Sequence, residues 1–263
     1  MTLVSNISVN LISVGIAIAA IAILGFAVLL SNRKSVTNRA YFLFSLASIF
    51  WSVANFTQYQ IHTPEASFLI LRIVLFLGVW HSFSFFHFCF VFPEEARRYP
   101  NWYRFGMIPL ALVLSTVTVA TPLVFSRIAE VAPDGGLLRV ANGPLIPVVA
   151  AFILISVAGG IVLLIRRTFQ AQRTQKRQFG LVLVGMFATF ALLMAFNFIL
   201  PAFLSMTSYI PFGAVFLLPF VILTFYAISH YHLLDIKVIS TEIVAFVLSV
   251  ATLLEVVLSK STT

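Results

Sequence analysis

The chain has 263 residues, of which 61% are hydrophobic and only 9% are charged, and its mean hydropathy is +1.07. Soluble domains carry about 25% charged residues, so this composition excludes a soluble globular protein and indicates an integral membrane protein. The formal net charge is +8. Because the basic residues lie between apolar runs, this charge indicates membrane orientation and not nucleic-acid binding.

Seven apolar runs are long enough to cross a hydrocarbon core of roughly 30 Å as helices. The first is too long for a signal-peptide core and has no basic region before it, so we interpret it as a span. No ten-residue alternating segments, typical of a membrane barrel, are seen. The predicted spans are Leu11–Leu30, Tyr41–Tyr59, Phe68–Phe92, Phe105–Phe125, Leu145–Ile165, Phe179–Leu200 and Phe212–Ser229.

The connections between these runs predict the orientation. Eleven Lys and Arg residues follow spans one, three and five, whereas the opposite connections hold only Arg127 and Arg139. Basic residues mark cytoplasmic connections. We therefore expect a multi-pass protein of the bacterial inner membrane with its N-terminus outside and the end of span seven in the cytoplasm.

The longest outer connection, 126–143, predicts a small extracellular β-hairpin between spans four and five. Ile128 and Glu130 stand on one side of a Pro-Asp-Gly-Gly sequence, and Leu138, Arg139 and Val140 stand on the other. Such a sequence is turn chemistry between two arms that are compatible with strands. An ordered loop without strands is the alternative.

Span three carries an arginine and two histidines, so we expect it to face other helices as the central helix of the bundle. Arg72 either extends its charge to the outer headgroups or attracts anions at the floor of an outward-opening cavity. We predict such a cavity among spans two, three, six and seven. The candidate ligand-binding residues are Asn55, Gln58, Arg72, His81 and Asn197.

His81 and His87 are six residues apart and therefore lie on opposite faces of a helix, which excludes a joint two-histidine metal site. Each is expected to be an interior histidine that is hydrogen-bonded across helices to a serine or a backbone carbonyl. The 28 phenylalanines are expected mainly to pack or to face lipid, with a subset lining an apolar pocket as the alternative. Trp102, Tyr99 and Tyr103 resemble an interfacial aromatic belt.

The sequence lacks the residues that several kinds of functional site require. The single cysteine, Cys89, excludes an internal disulfide and a cysteine-cluster metal site. No lysine lies within span seven for a retinal Schiff base, and no aspartate lies in any of the seven runs. We therefore expect neither a cofactor nor a membrane enzyme. A small transporter or channel is the alternative to a receptor, although no matching halves are visible.

Span three ends in HFCFVFP, at His87 to Pro93, and span seven leaves the membrane as YHLLDI, at Tyr231 to Ile236. At these places, and in the predicted hairpin, the chain resembles the N-terminal seven-transmembrane sensor region of bacterial histidine kinases, over about Leu11 to Ile239. The resemblance implies a receptor that detects an extracellular or membrane-borne signal and relays it through span seven to a cytoplasmic output. The candidate relay residues are His87, Pro93, Tyr231 and Asp235.

The predicted organisation is an all-α integral membrane protein with a seven-helix bundle at 1–239 and a C-terminal membrane helix at 240–263. No phosphoacceptor helix or Gly-rich nucleotide lid follows the spans, so we expect a truncated sensor that lacks catalytic residues and works with a kinase module in cis or in trans. The other expected partners are the lipid bilayer and a small-molecule or lipid-like ligand.

An eighth apolar run, Ile243–Leu258, carries a polar stripe in which Ser249, Thr252, Glu255 and Ser259 are three or four residues apart. This spacing predicts a membrane-embedded helix with one polar face. The stripe is a candidate seam for a homodimer. Alternatively, Glu255 reaches the outer headgroups and the stripe packs on span one or span seven.

Overall fold

The structure is a computed structural model that describes residues 2–93, 99–131, 137–204 and 209–231. Within these ranges, seven helices are long and apolar enough to cross a membrane. This confirms the seven predicted spans. The predicted eighth helix and Asp235 lie outside the described residues, so both stay predictions.

The first three spans are helices α1 (Thr2–Ser31), α2 (Val36–Gln58) and α3 (Pro64–Val91). Span four is a π-helical turn (Tyr103–Met107) that continues as α4 (Ile108–Ala120). Span five is α5 (Ile146–Gln170). Span six is α6 (Arg173–Met194), extended by a π-helical turn (Ala195–Ile199) and a short α7 (Leu200–Leu204). Span seven is α8 (Gly213–Tyr231), preceded by a 3-10 turn (Ile210–Phe212).

Local sequence explains where span three begins and ends. Pro64 occupies the first turn, where a missing N–H leaves no hydrogen bond unmade,. The helix ends at Val91, and Phe92 is extended, with φ −71° and ψ 134°. A residue before proline avoids the helical conformation because the proline ring crowds it, and Pro93 follows Phe92.

Span four is shorter than predicted. We expected it to reach Phe125, but the helix ends at Ala120, and Thr121 is extended with φ −131° and ψ 159°. Thr121 precedes Pro122, so the same steric conflict ends the helix there. Phe125 instead begins the first strand of the hairpin.

The predicted hairpin is confirmed as a two-stranded antiparallel sheet of β1 (Phe125–Val131) and β2 (Leu137–Asn142). Arg139 Nη1 lies 3.1 Å from Glu130 Oε1, across the sheet and exposed to solvent. Exposed ion pairs contribute about 0.2–1 kcal/mol at most. The pairing of the two strands therefore rests mainly on their backbone ladder. The predicted turn residues, 133–136, lie outside the described residues.

Six of the spans form a ring in which neighbours pack in the order two, three, five, six, seven and one, and span one closes the ring on span two. Span four packs against span three outside this ring. Span three therefore contacts three other spans and is a member of the ring, not a helix at its centre. Close approach to span five needs small residues there: a Cβ on Gly160 would lie 2.9 Å from the ring of Phe85.

The two ends of the bundle differ in chemistry. We call the end that carries the hairpin the hairpin face; it also holds residues 59–63 and 209–212. We call the other end, which holds residues 32–35, 92–93, 99–102 and 171–172, the basic face. Arginines and lysines flank each of the connections on the basic face.

Candidate functional site

A cavity of about 320 Å³ lies inside the ring, among spans two, three, five, six and seven. Small-molecule sites in proteins occupy about 300–1,000 Å³ and are mostly apolar, so its size suits a small ligand. Its wall is formed by aromatic and aliphatic side chains with few polar groups. The lining includes Phe44, Trp51, Leu71, Val74, Leu75, Gly78, His81, Ser82, Phe85, Phe125, Ile153, Val157, Met186, Thr189, Phe190, Leu193, Leu217 and Phe220.

His81 is the one titratable group among these lining residues. Its ring lies between two aromatic rings, with centroid separations of 5.4 Å to Trp51 and 5.1 Å to Phe44. Its Nε2 lies 3.1 Å from Ser48 Oγ on span two. This contact confirms the expected hydrogen bond to a serine across helices. Nδ1 has no hydrogen-bond partner among the described residues, so one polar atom of a lining residue is uncommitted.

The two lining hydroxyls are already committed to backbone groups. Ser82 Oγ donates to the carbonyl of Val79 at 2.9 Å. Thr189 Oγ1 accepts the N–H of Phe220 at 3.1 Å. Since hydroxyls used in this way contribute little polarity to the wall, the cavity presents apolar surface with a single uncommitted ring nitrogen on His81.

Span seven meets the cavity at its proline. Pro219 cannot donate to the carbonyl four residues earlier and so interrupts the helix ladder,. Neighbouring spans bind the backbone just beyond it: Thr189 binds the N–H of Phe220, and the Tyr41 hydroxyl donates to the carbonyl of Val221 at 2.7 Å. Phe220 itself lines the cavity, so this interrupted segment is in contact with whatever occupies the cavity.

Arg72 makes contacts that we had not predicted. Its Nη1 and Nη2 donate to the carbonyls of Val119 and Phe125 at 3.3 and 2.8 Å. The guanidinium also lies 4.6 Å from the ring centre of Phe68. Arg72 thus joins span three to the end of span four and to the start of β1. The negative end of the span four helix dipole complements the charge of Arg72.

The other predicted polar lining also lies elsewhere, because Asn55, Gln58, Arg72 and Asn197 are not among the residues that line the cavity. Asn55 Nδ2 donates to the carbonyl of Ile210, ahead of span seven, at 3.2 Å. Gln58 Oε1 and Asn197 Oδ1 are buried and have no partner in the described protein. The cavity also differs from the prediction because span five forms one of its walls. Ligand binding by these four residues stays an untested prediction.

His87 binds a residue that we had assigned to the membrane interface. The Tyr103 hydroxyl lies 2.6 Å from His87 Nδ1, and Tyr103 is only 3% exposed. An interfacial belt was therefore the wrong description for Tyr103, which is an internal contact between spans three and four. The exposed ring of Trp102 is compatible with such a belt.

The end of span three is held from span five. Arg167 donates to the carbonyls of Cys89 at 3.1 Å and Phe90 at 2.7 Å, and also to that of Phe92. The last carbonyls of a helix lack partners within the helix, and a cation there complements the helix dipole. Arg167 therefore fixes the segment that leads into Pro93.

The comparisons with known proteins agree with this architecture. The chain matches the family described as the N-terminal 7TM region of histidine kinase over residues 13–237. The chain belongs to this family. It is therefore a multi-pass membrane sensor region of histidine kinases. Neither the curated proteins nor the solved structures yielded a match.

The predicted relay residues of this sensor region lie at the ends of two different spans. His87 and Pro93 lie at the end of span three, and Tyr231 is the last residue of span seven. Asp235 lies outside the described residues. No described contact joins His87 or Pro93 to Tyr231, and their relay role stays a prediction.

Sequence reasoning missed several residues that build the site. Trp51 was not considered part of a site, yet its ring stacks on His81 and closes against span seven, where a Cβ on Gly213 would lie 3.0 Å from it. Thr189 and Arg167 were not singled out at all. A tryptophan one turn from an asparagine within an apolar run is a weak signal, and no spacing rule links it to span three.

Proposed function

We propose that this sensor region binds a small, mostly apolar molecule in the cavity and relays its presence through span seven to a cytoplasmic kinase module. The observation that supports this most directly is that the cavity wall includes Leu217 and Phe220, which flank Pro219. A ligand there would touch the one described span that leads towards the output.

The composition of the wall defines the class of ligand. A charged ligand would lose its hydration in an apolar cavity within the membrane, which costs several kcal/mol without a charged partner. Among the described residues, no cation or carboxylate lines the cavity. We therefore expect an uncharged molecule, extracellular or membrane-borne, with one group that hydrogen-bonds to His81.

The relay follows from the way in which span seven is held. Pro219 removes one ladder hydrogen bond, and Tyr41 and Thr189 instead bind the adjacent backbone from other spans. A ligand that displaced Phe220 would shift those contacts, and a rotation or translation of span seven would pass to Tyr231 and on to Asp235. Substituting Asp235 or Tyr231 is then expected to uncouple output without loss of folding.

The setting is part of the same proposal. In this proposal the basic face lies in the cytoplasm of a bacterium, the hairpin face and the N-terminus lie outside, and the kinase module acts in cis or in trans. A homodimer is expected, with the stripe at Ser249 and Thr252 as its seam. Cysteine crosslinking at these two positions in membranes tests that seam; no intersubunit disulfide in a protein shown to be dimeric rules it out.

The cavity itself is tested by filling it. Val157→Phe adds a ring to the lining contributed by span five, whereas Leu154→Phe makes the same kind of change on the outer side of that span, where the side chain is 67% exposed. In a kinase that carries this sensor region, autophosphorylation in membranes is expected to change with Val157→Phe and to match the unsubstituted protein with Leu154→Phe. Unchanged autophosphorylation in a folded Val157→Phe variant would overturn the proposal.

A further inference from the structure

A second cavity, of about 300 Å³, lies at the basic face and is separate from the first. Its lining residues come from span two, span three and span four, together with the connection before span four. They are Leu43, Phe83, His87, Tyr99, Tyr103, Arg104 and Ile108. None of these residues lines the cavity inside the ring, so the two cavities have independent walls.

The interior of this second cavity is a stack of aromatic rings. Tyr99 lies over Tyr103 with a centroid separation of 5.2 Å and over His87 at 5.9 Å. Phe83 continues the stack at 5.9 Å from Tyr103. The outer wall is aliphatic: Leu43 is 50% exposed on a span that faces the hydrocarbon. An alkyl chain approaching from the bilayer would therefore meet continuous apolar surface.

The mouth of the cavity is basic. Arg104 lines it, with its guanidinium 6.0 Å from the ring centre of Tyr99. Arg39 lies near enough to act electrostatically on the Tyr99 hydroxyl. Both arginines are exposed, and neither forms an ion pair with a carboxylate among the described residues. Two positive charges, without a carboxylate partner among the described residues, thus stand beside an apolar cavity at the level where the span ends.

Tyr99 adds a neutral donor to this mouth. Burial raises the pKa of its hydroxyl, and the nearby Arg39 and Arg104 lower it by a smaller amount. The hydroxyl therefore keeps its proton at neutral pH. It has no hydrogen-bond partner among the described residues, so it is free to donate to an anionic oxygen. The hydroxyl of Tyr103, by contrast, is committed to His87.

From this arrangement we infer that the second cavity binds one anionic phospholipid, with an acyl chain against Leu43, Phe83 and Ile108 and with the headgroup phosphate between Arg104, Arg39 and the Tyr99 hydroxyl. The charge, the apolar depth and the position at the end of the spans fit a lipid better than a soluble anion, which would leave the aromatic wall unfilled. Basic residues near a membrane surface attract anionic lipids. We therefore expect this cavity, with two arginines at its mouth, to retain an anionic phospholipid in preference to bulk lipid.

The site also has a consequence for span three. A lipid held between spans two, three and four would contact the ring of His87 and so act on the same helix that carries His81. Its occupancy is independent of any ligand in the cavity inside the ring, because the two walls share no residue. Failure of one proposal leaves the other standing.

The experiment is competitive lipid retention measured by native mass spectrometry. The full chain is purified from nanodiscs that contain equal amounts of phosphatidylglycerol and phosphatidylcholine, which have the same acyl chains. We expect one phosphatidylglycerol to be retained severalfold more often than phosphatidylcholine. Arg104→Gln is expected to abolish this preference, and Ile108→Trp, which fills the cavity without changing charge, is expected to reduce retention of both lipids.

The matched control is Arg166→Gln, which removes one exposed charge from the same face but on span five, away from the cavity. It is expected to keep the preference of the unsubstituted protein. The inference is overturned if both lipids are retained equally by the unsubstituted protein, if Arg166→Gln lowers the preference as much as Arg104→Gln, or if Ile108→Trp retains phosphatidylglycerol unchanged. Circular dichroism of each variant establishes that it is folded. If a soluble anion were the true ligand, inorganic phosphate in detergent would protect the protein against unfolding and no lipid would be retained. That result also counts against a lipid site.

Discussion

At the residue scale, two arginines within the bundle both have backbone carbonyls as their hydrogen-bond partners. Each donates to carbonyl groups near the end of a neighbouring helix: Arg72 to that of Val119, and Arg167 to those of Cys89 and Phe90. An ionisable group inside a membrane protein needs a partner, and the usual expectation is a carboxylate. Here the partners are backbone carbonyls, which no sequence pattern identifies because every residue has one.

Arg167→Gln tests the value of this arrangement. The substitution removes the charge and most of the donors that face the carbonyls of Cys89, Phe90 and Phe92. Hydrogen bonds to charged groups contribute about 1.5–3 kcal/mol, so we expect a loss of stability of about 2 kcal/mol, seen as a lower melting temperature in detergent. Arg166→Gln, at the neighbouring exposed position, is the control and should leave the melting temperature nearly unchanged. Equal melting temperatures for the two variants would show that the cap contributes nothing.

The contact between His87 and Tyr103 predicts a smaller loss of stability than that of Arg167→Gln. Tyr103→Phe keeps the ring in its stack but removes the hydroxyl that lies 2.6 Å from His87 Nδ1. The expected cost is about 1 kcal/mol, because a partly buried nitrogen loses its partner. Tyr99→Phe, which removes a hydroxyl with no partner among the described residues, should cost less. A larger loss for Tyr99→Phe in a thermal melt in detergent would contradict the assignment.

At the element scale, spans six and seven approach each other closely at Gly185. Gly185 faces Pro219, and a Cβ there would lie 2.7 Å from the Pro219 carbonyl oxygen and 3.0 Å from Phe220 Cα. Both are backbone atoms, which do not rotate away. The absence of a side chain at Gly185 therefore allows span seven to place its proline against span six, where Thr189 receives the N–H of Phe220.

Gly185→Ala is expected to destabilise the bundle because it forces these two helices apart. Overpacking of a close contact typically costs about 1–3 kcal/mol. Gly180→Ala on the same helix is the matched control: its Cβ would meet nothing within 4 Å, so the better helix propensity of alanine should raise stability by up to about 1 kcal/mol. Melting temperatures that move in opposite directions support this account. A shift of the same sign and size in both variants would refute it.

At the scale of the whole molecule, the topology in the membrane is the main prediction still to be tested. Basic residues concentrate at one end of the bundle, and the hairpin lies at the other. A reporter fused after Arg173 should behave as cytoplasmic, and one inserted within 133–136 should behave as exported. The reversed pattern would invert the proposed orientation, although neither the fold nor the cavities would change.

The sequence alone determined the seven spans, the hairpin and the expected family. These features depend on local properties: the length of each apolar run, the charge of each connection, and turn residues between two short arms. The end of span four was misplaced by five residues because hydropathy continues through Phe125, whereas Pro122 had already ended the helix. The expected serine partner of His81 was correct in kind, but which serine it is depends on how span two packs.

Only the tertiary structure decided where the cavities lie and what lines them. The polar residues that we had grouped by depth, such as Asn55 and Arg72, bind backbone carbonyls, and the cavity is lined instead by side chains from five spans. Depth along a helix can be counted from sequence, but the direction in which a side chain points around the ring depends on which helices are neighbours. In that order span four lies outside the ring, and spans three and seven meet through Phe85 and Phe220. The order arises from close packing between residues that are distant in sequence, which no local pattern encodes.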